Sequence, residues 1–371
     1  MLSLIALLGR KDTPTDGVED YCTFLGRALG QRGVTLKQFR VDWVNKGWIG
    51  ALRQLRRESK AWRGNWILLQ YTALGWSRRG FPLGAVATLW FLRRRGVRCA
   101  VVFHEPYRQW QDSRWIDRVR GACQGWVIRR LYGGSAKGIF ADPLETVRWL
   151  PKDHAKAAFI PIGANIPEPE RSAEVSGARN GAAKTVAVFC LSDPPNRERE
   201  VGDIASAMRS ASTNGSKLQV IFLGRGTAEA QQEIDRAFDG IPVQVSNFGL
   251  RSAEEVSRTL SGSDAMLCVR GSLYPRRGSA LAGIACGLPI VGYAGAAERT
   301  HLAEAGVELV PYCDREALGA ALSRVLTDEG LHAELRSRNR RVLEKYFSWG
   351  EIAKRYSEAL GSGSGTAMDA R

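Results

Sequence analysis

The chain has 371 residues, with 53 Lys and Arg against 38 Asp and Glu, for a formal charge of +15. At 44% hydrophobic and 25% charged residues the composition is that of a folded globular protein of about two domains, which excludes wholesale disorder. No apolar run reaches the ~18–20 residues that a membrane-spanning helix requires. The opening Leu2–Leu8 is too short for a secretory leader core and reads as a buried first strand. Seven scattered Cys without a Cys-x-x-Cys pair, and four His far apart, give a zinc site little support and suit a reducing cytoplasm.

Short apolar runs alternate with amphipathic stretches along the chain, the pattern of parallel sheets with helical crossovers. The first series of predicted strands is Ser3–Leu8, Val34–Val41, Trp66–Tyr71, Cys99–His104, Gly138–Ala141 and Ala158–Ile162. Helices are predicted between them at Val18–Arg32, Ile49–Trp62, Leu83–Arg95 and Arg114–Leu131. Pro167–Lys184, rich in Pro, Glu, Ser, Gly and Ala, has no periodicity and reads as a linker. A second series follows: Val186–Leu191, Leu218–Leu223, Val243–Phe248, Ala265–Val269, Pro289–Gly292 and Val307–Val310, each trailed by a predicted helix. A last helix is predicted at Trp349–Leu360, before a Gly/Ser-rich tail. Two open α/β domains hold ligands at the carboxyl ends of their strands.

The charge is divided unequally. Residues 1–170 carry 28 basic and 14 acidic side chains, whereas residues 171–371 carry 25 and 24. Ten of the eleven Trp lie before residue 150. On the predicted helix Ile49–Trp62, the cations Arg53, Arg56 and Arg57 accompany Leu52 and Leu55; further on, Trp110 and Trp115 sit among Arg114, Arg118 and Arg120. Cations beside interfacial Trp suit an anionic membrane surface or a lipid-linked acceptor. A solvated charged face over a Trp-rich core, or a nucleic-acid patch, are the other readings, and no nucleic-acid-binding motif is present.

The most informative segment runs from Arg270 to Gly292. It leaves a strand, passes Arg276 and Arg277, and opens a helix at Gly278-Ser279. Free amides and the positive end of a helix, with small residues and two guanidiniums, suit a diphosphate. A tight helix–strand unit with two solvated Arg is the alternative reading of the same residues. The small-residue helix then gives way to Gly287-Leu-Pro-Ile-Val291.

This turn resembles the donor-binding region of the family 4 retaining glycosyltransferases, which have the GT-B fold. Other pieces follow in the same order. Phe222-Leu-Gly-Arg-Gly226 resembles the glycine turn of the donor domain, and Asn247-Phe-Gly249 the segment lining the nucleotide base. Pro161-Ile-Gly-Ala-Asn165 resembles the turn closing the first domain, and Phe347-Ser-Trp349 the start of a final helix that crosses back to it. The resemblance implies two Rossmann-like domains with a deep cleft: residues 1–166 for the acceptor, a linker at 167–184, residues 185–346 for a nucleotide-sugar, a crossover helix at 347–360 and a tail at 361–371. It implies an active-site role for His104, which otherwise reads as a packed or hydrogen-bonded residue, with Glu105 a second candidate. It also implies a loop at Gly17 near the donor phosphates, and nucleotide contacts from Gly224, Gly226, Asn247, Phe248 and Tyr274.

The pattern departs from the family at two positions where carboxylates are usual, which are Tyr274 and Ala282 here. Arg197 and Arg199 are displaced substitutes for the family's basic residues after the first strand of the second domain. An Arg-Arg-Gly-Ser loop serving the diphosphate marks a divergent branch. The resemblance implies a retaining, metal-independent transferase with no resident cofactor, moving a sugar from a nucleotide-sugar to a glycan or lipid-linked acceptor in polysaccharide or glycoconjugate synthesis. Its expected place is the cytoplasm, at the inner face of the membrane. The alternative is a non-catalytic relative that binds a glycan, lipid or partner transferase.

Overall fold

The structure is a computed structural model that describes residues 3–106, 114–169, 183–212, 217–295 and 300–361. It divides into two compact units, Met1–Ile162 with Trp349–Arg371, and Gly163–Ser348. Trp110 lies outside the described residues.

Unit 1 contains β1 (Ser3–Leu8), α1 (Gly17–Gly30), β2 (Thr35–Arg40), α2 (Trp43–Glu58), β3 (Trp66–Tyr71), α3 (Leu83–Arg94), β4 (Arg98–Phe103), α4 (Trp115–Gly134), β5 (Lys137–Phe140) and β6 (Ala157–Phe159). The strands form one sheet in the order β2-β1-β3-β4-β5-β6, every pair parallel. Continuous apolar runs such as Leu4–Leu8 and Trp66–Leu69 are needed because both faces of the sheet are covered. Side chains alternate along β1: Ile5 and Leu7 pack with Leu55, Leu89 and Val127 from α2, α3 and α4, whereas Leu4, Ala6 and Leu8 pack with Leu25 of α1. The second face is completed by α11 (Trp349–Gly361), the final helix of the chain. Trp349 stacks on Phe24 with ring centroids 5.6 Å apart, and Tyr356 Oη lies 2.8 Å from Tyr21 Oη in the core.

The predicted elements are present, with ends shifted by a residue or a few, except that the predicted strand Pro289–Gly292 is trailed, among the described residues, by a 3-10 turn at His301–Glu304 and not by an α-helix. The largest difference is at α2, where assigned helix begins at Trp43 but Gly47 breaks it with φ 64° and ψ 170°. The regular helix starts after this break, and its far end tightens into a 3-10 turn at Ser59–Trp62. Trp48 beyond the break stacks between Trp43 and Trp76, so these indoles belong to the core side.

Unit 2 contains β7 (Lys184–Phe189), α5 (Asn196–Ser212), β8 (Leu218–Leu223), α6 (Gln231–Phe238), β9 (Val243–Asn247), α7 (Ala253–Ser261), β10 (Ala265–Cys268), α8 (Gly278–Ala285), β11 (Ile290–Tyr293), β12 (Val307–Val310), α9 (Arg315–Thr327) and α10 (Glu329–Val342). Its parallel strands are ordered β12-β11-β10-β7-β8-β9. Two buried polar side chains pin the surrounding elements. Asp203 on α5 accepts from Tyr293 Oη at 2.7 Å, Arg315 Nε at 2.6 Å and Arg199 Nη1 at 2.8 Å. Asn339 on α10 donates to the Leu288 carbonyl at 2.8 Å and accepts from the Gly306 amide at 2.7 Å. The Asn339 bond to the Leu288 carbonyl supports the Gly287-Leu-Pro turn, where Gly287 takes φ 65° after α8 and Leu288 N–H closes onto the Gly283 carbonyl.

The burial of α11 in unit 1 yields a prediction. Tyr356→Phe leaves the Tyr21 hydroxyl buried without its phenol partner and costs about 1–3 kcal/mol, read from denaturant unfolding. The double variant Tyr21→Phe with Tyr356→Phe recovers most of that loss. Additive losses would show that the two hydroxyls do not act as a pair.

Candidate functional site

Each sheet begins in its middle and winds outwards both ways, so each has a switch point where neighbouring loops part. In unit 2 this lies between β7 and β10, and in unit 1 between β1 and β3. The two are built differently.

In unit 2 the loops after β7 and β8 lie against each other. Cys190 follows β7 at φ 69°, an uncommon conformation for a residue with a Cβ, and Leu191 N–H donates to the Arg225 carbonyl. A Cβ on Gly224 would come within 2.8 Å of Cys190 Sγ, and one on Gly226 within 2.5 Å of the Leu191 carbonyl oxygen. The glycines are therefore required for the close approach of two loops. Asn247 at the end of β9 spends its amide on the same region, donating to the Thr227 carbonyl at 2.7 Å and Gln231 Oε1 at 2.9 Å, and accepting from the Gly249 amide. Its side chain secures the turn. Phe248 is exposed, with the Arg251 guanidinium 5.7 Å from its ring.

The loop after β10 brings Arg270, Arg276 and Arg277 to the carboxyl end of the sheet. Arg277 is the N-cap of α8 in extended conformation, and no side chain caps the helix there. Its Nη2 donates to the Ser272 carbonyl at 3.2 Å, and its guanidinium stands 4.4 Å from the Tyr274 ring centroid. Tyr274 is itself exposed and also lies under Arg276, at 5.4 Å. The Nε atoms of Arg270 and Arg277 are buried without a hydrogen-bond partner. No carboxylate among the described residues forms an ion pair with either side chain. Burial, together with the like charge of Arg270, pushes the Arg277 pKa down, while Tyr274, Cys268 and Glu200 hold it up. The Cys268 thiol at the end of β10 is pushed up to about 12 by burial, against the pull of Arg277, the Ser279 hydroxyl and Arg270. The result is a half-buried, cation-rich corner beside a helix start whose residues Gly278 and Ser279 are small.

Several expected residues are used otherwise. Arg197 is held by Glu233 through Nε at 3.1 Å and Nη2 at 2.7 Å, and Arg199 is held by Asp203 and the Val269 carbonyl. Neither substitutes for the cations expected after β7. Ala282 is buried inside α8. Two members of this corner are not conspicuous in the sequence. Arg270 is one, and its only signal is its place just after a strand. The other is Glu200, fully buried, whose Oε2 accepts from the Ser192 amide at 2.8 Å and whose charge reaches Arg277.

In unit 1 the switch point is filled by backbone. Arg10 N–H donates to the Gly75 carbonyl, and a Cβ on Gly9 would collide with that same oxygen. Gly17 opens α1, but the amides of Val18 and Glu19 already bind the Asp16 carboxylate, which in turn pairs with Arg40 at 3.1 Å. A second anion at these amides would meet a carboxylate, so the expected phosphate loop at Gly17 is a self-capped helix start. The polar groups lie one strand further on. Gln70 at the end of β3 donates to the Leu68 carbonyl at 3.2 Å, which fixes its amide and turns Oε1 towards His104 Nε2 at 2.8 Å. The oxygen can only accept, so His104 donates through Nε2, and in the neutral ring Nδ1 is the accepting nitrogen. The imidazole meets Tyr21 edge-on at 5.0 Å. Glu105 is half-buried, and its charge adds to burial in raising the Tyr71 hydroxyl pKa. Arg53, Arg56, Arg57 and Trp115 are all exposed. Among the described residues no three His, Cys, Asp or Glu side chains stand together as metal ligands.

No protein-family model matches the chain, and neither does any curated protein sequence. Solved structures do. Sucrose-phosphate synthase of Thermosynechococcus elongatus is similar with a TM-score of 0.69 at 17% identity, over 98% of this chain and 99% of that one. HepE of Anabaena, solved with UDP and glucose, is similar at 0.66 and 13% identity, over 98% and 100%. A putative UDP-N-acetylglucosamine 2-epimerase of Listeria monocytogenes is similar at 0.63 and 12%, over 97% and 96%. Together with the two parallel six-stranded sheets and the return of α11 to unit 1, this likeness establishes the two-domain α/β fold of the GT-B type.

Proposed function

We propose that the protein transfers a sugar from a nucleoside-diphosphate sugar to a glycan or lipid-linked acceptor. One observation carries this reading: Arg270 and Arg277 are half-buried at the switch point of unit 2, their Nε atoms have no hydrogen-bond partner, and neither forms an ion pair with a carboxylate of the described residues. Burying cations unpaired is costly, and an anion with several oxygens removes that cost while accepting bidentate bonds. UDP and glucose accompany HepE, a structure of the same fold, which makes a nucleotide diphosphate the fitting anion.

In this reading Arg270, Arg276 and Arg277, with the first amides of α8, hold the donor diphosphate. As the bond from the anomeric carbon to the phosphate oxygen breaks, they stabilise the charge left on the diphosphate, a task that a divalent metal performs in other designs. Tyr274 supports the guanidiniums from below and borders the nucleotide. The acceptor hydroxyl attacks the anomeric carbon from the face that the diphosphate leaves, so configuration is retained, and its proton passes to the departing phosphate oxygen. His104, oriented through Nε2 by Gln70, uses Nδ1 to position a sugar or acceptor hydroxyl, with Glu105 as a further acceptor. Seven cysteines without a disulfide suit a reducing compartment, in keeping with donor use in the cytoplasm.

The absence of carboxylates at Tyr274 and Ala282 favours a second reading, a non-catalytic binder on the same fold. The two readings separate by experiment. Titration with a panel of nucleoside diphosphates, followed by calorimetry, should find one that binds. Arg270→Ala and Arg277→Ala should each weaken it about tenfold to a hundredfold, as expected for a lost hydrogen bond to a charged group. Undiminished affinity in both variants removes the diphosphate site. With the matching donor sugar, hydrolysis or transfer should be measurable. His104→Ala should lower turnover by about a hundredfold while leaving diphosphate affinity within twofold. Diphosphate binding without turnover of any donor would establish the non-catalytic reading, and turnover to a stereoisomeric sugar without acceptor would establish an epimerase.

A further inference from the structure

We infer that the outer face of α3 and α4 is a docking surface for an anionic lipid bilayer. The inference concerns a different part of unit 1 from the residues above and stands whether or not the chain transfers a sugar.

The two helices lie side by side on the same face of the sheet and run in the same direction. Midway along α4 Gln124 Nε2 donates to the Gly80 carbonyl, just before α3, at 3.0 Å; at the end of α4 a Cβ on Gly134 would lie 3.1 Å from Leu89 Cδ2, midway along α3. Their inward faces join the core through Ala85, Leu89 and Leu92, and through Val127, Ile128 and Leu131. Outward, α3 presents Leu83, Ala87, Trp90 and Arg94, spaced i, i+4, i+7 and i+11. On α4 the corresponding stripe is Trp115, Val119, Ala122, Trp126 and Arg130. An amphipathic helix on a solvated protein carries polar residues on that side; here the outer stripe of each helix is apolar up to the arginine that ends it, with Arg118 beside the stripe of α4.

The apolar residues are open to solvent, with Trp115 at 74%, Trp90 at 54% and Trp126 at 46% of their full exposure. The stripes end alike. The Arg94 guanidinium covers the Trp90 ring at 3.9 Å, and that of Arg130 covers Trp126 at 5.4 Å. An indole capped by a guanidinium suits the headgroup layer, where the ring meets acyl chain and the charge meets lipid phosphate.

Charge decides among occupants. The remaining exposed cations of the two helices are Arg93, Arg118 and Arg129. The one acidic side chain on either helix, Asp117, is buried and held by Arg120 at 2.9 Å. The exposed face thus offers apolar groups and guanidiniums and no negative charge, which complements anionic headgroups over hydrocarbon. A nucleic acid would need donors along the stripes, where Leu83, Ala87, Val119 and Ala122 supply none. No helix among the described residues is long and apolar enough to cross a membrane, so the contact would be one of surface insertion.

The full chain is tested by co-sedimentation with vesicles of phosphatidylcholine alone and of phosphatidylcholine mixed with phosphatidylglycerol. Binding is expected to the mixed vesicles, weakening as salt is raised. Trp90→Ala with Trp126→Ala should reduce the partition coefficient about tenfold or more and weaken quenching of tryptophan fluorescence by brominated lipid, leaving only the contribution of Trp115. Arg94→Glu with Arg130→Glu should remove the preference for anionic vesicles. All four side chains are on the outer face, so thermal unfolding of the variants should match the parent. The inference is overturned if the parent ignores both vesicle types, or if both double variants bind as the parent does. It is equally overturned if the face proves to hold an oligonucleotide or a second copy of the chain in preference to vesicles.

Discussion

Parallel strands that begin in the middle of a sheet send every following loop to the same edge. This constraint shapes both halves of the molecule. A parallel pair needs a helical crossover, the crossovers bury both faces of the sheet, and the carboxyl edge is left as the place where loops carry polar groups without disturbing the core. The apolar runs along the strands, the small residues of α8 and the glycines after β7 and β8 all follow from this arrangement.

Given the same winding, the two units use their switch points in opposite ways. In unit 1 Gly9 and Gly75 bring backbone against backbone, and Asp16 satisfies the start of α1 with an internal carboxylate. Space and positive potential are thereby withdrawn from the first loop, and the hydrogen-bonding groups Gln70 and His104 stand at the ends of β3 and β4. In unit 2 glycines again allow close approach, but they form a floor, and the loop after β10 places the Arg270 and Arg277 guanidiniums beside it. A carboxylate at residue 274 or 282 would have neutralised this corner in the unliganded protein. Tyr274 instead gives the cations an aromatic face, which supports them without cancelling their charge.

Much of this was legible in the sequence because it rests on local patterns. Most strands of both sheets coincide with a short apolar run, edge strands such as β2 and β9 being more polar, and the Gly287 turn is marked by a glycine followed by Leu288-Pro289. Arg276 and Arg277 of the β10 loop were visible for the same reason, since cations between a strand and a small-residue helix have few structural uses. What escaped depends on tertiary partners. Gly17 looks like a phosphate loop until Asp16 is seen to occupy its amides. Asn247 looks like a base contact until its amide is followed to Thr227 and Gln231. Arg197 and Arg199 are lost to Glu233 and Asp203, residues that no spacing rule connects to them in advance. Glu200 could not be distinguished from any other acid near a helix start until its burial was known.

The tryptophans show the same limit and how the fold resolves it. Ten of them in the basic half could equally build a core or a surface, because an indole serves in both. Helix faces separate the two uses. Trp43, Trp48 and Trp76 stack on one another beside β1 and β3, whereas Trp90, Trp115 and Trp126 stand on the outer side of the neighbouring helices. The arginine excess divides in a related way. On α3 and α4 it lies beside exposed apolar side chains, and the one acid of these helices, Asp117, is buried against Arg120, while in unit 2 a few guanidiniums are gathered at a single corner. Net charge alone would have implied one anionic partner; the placement of the charges separates an exposed amphipathic face on α3 and α4 from a cluster of guanidiniums at one corner of unit 2, and each is proposed to meet its own partner.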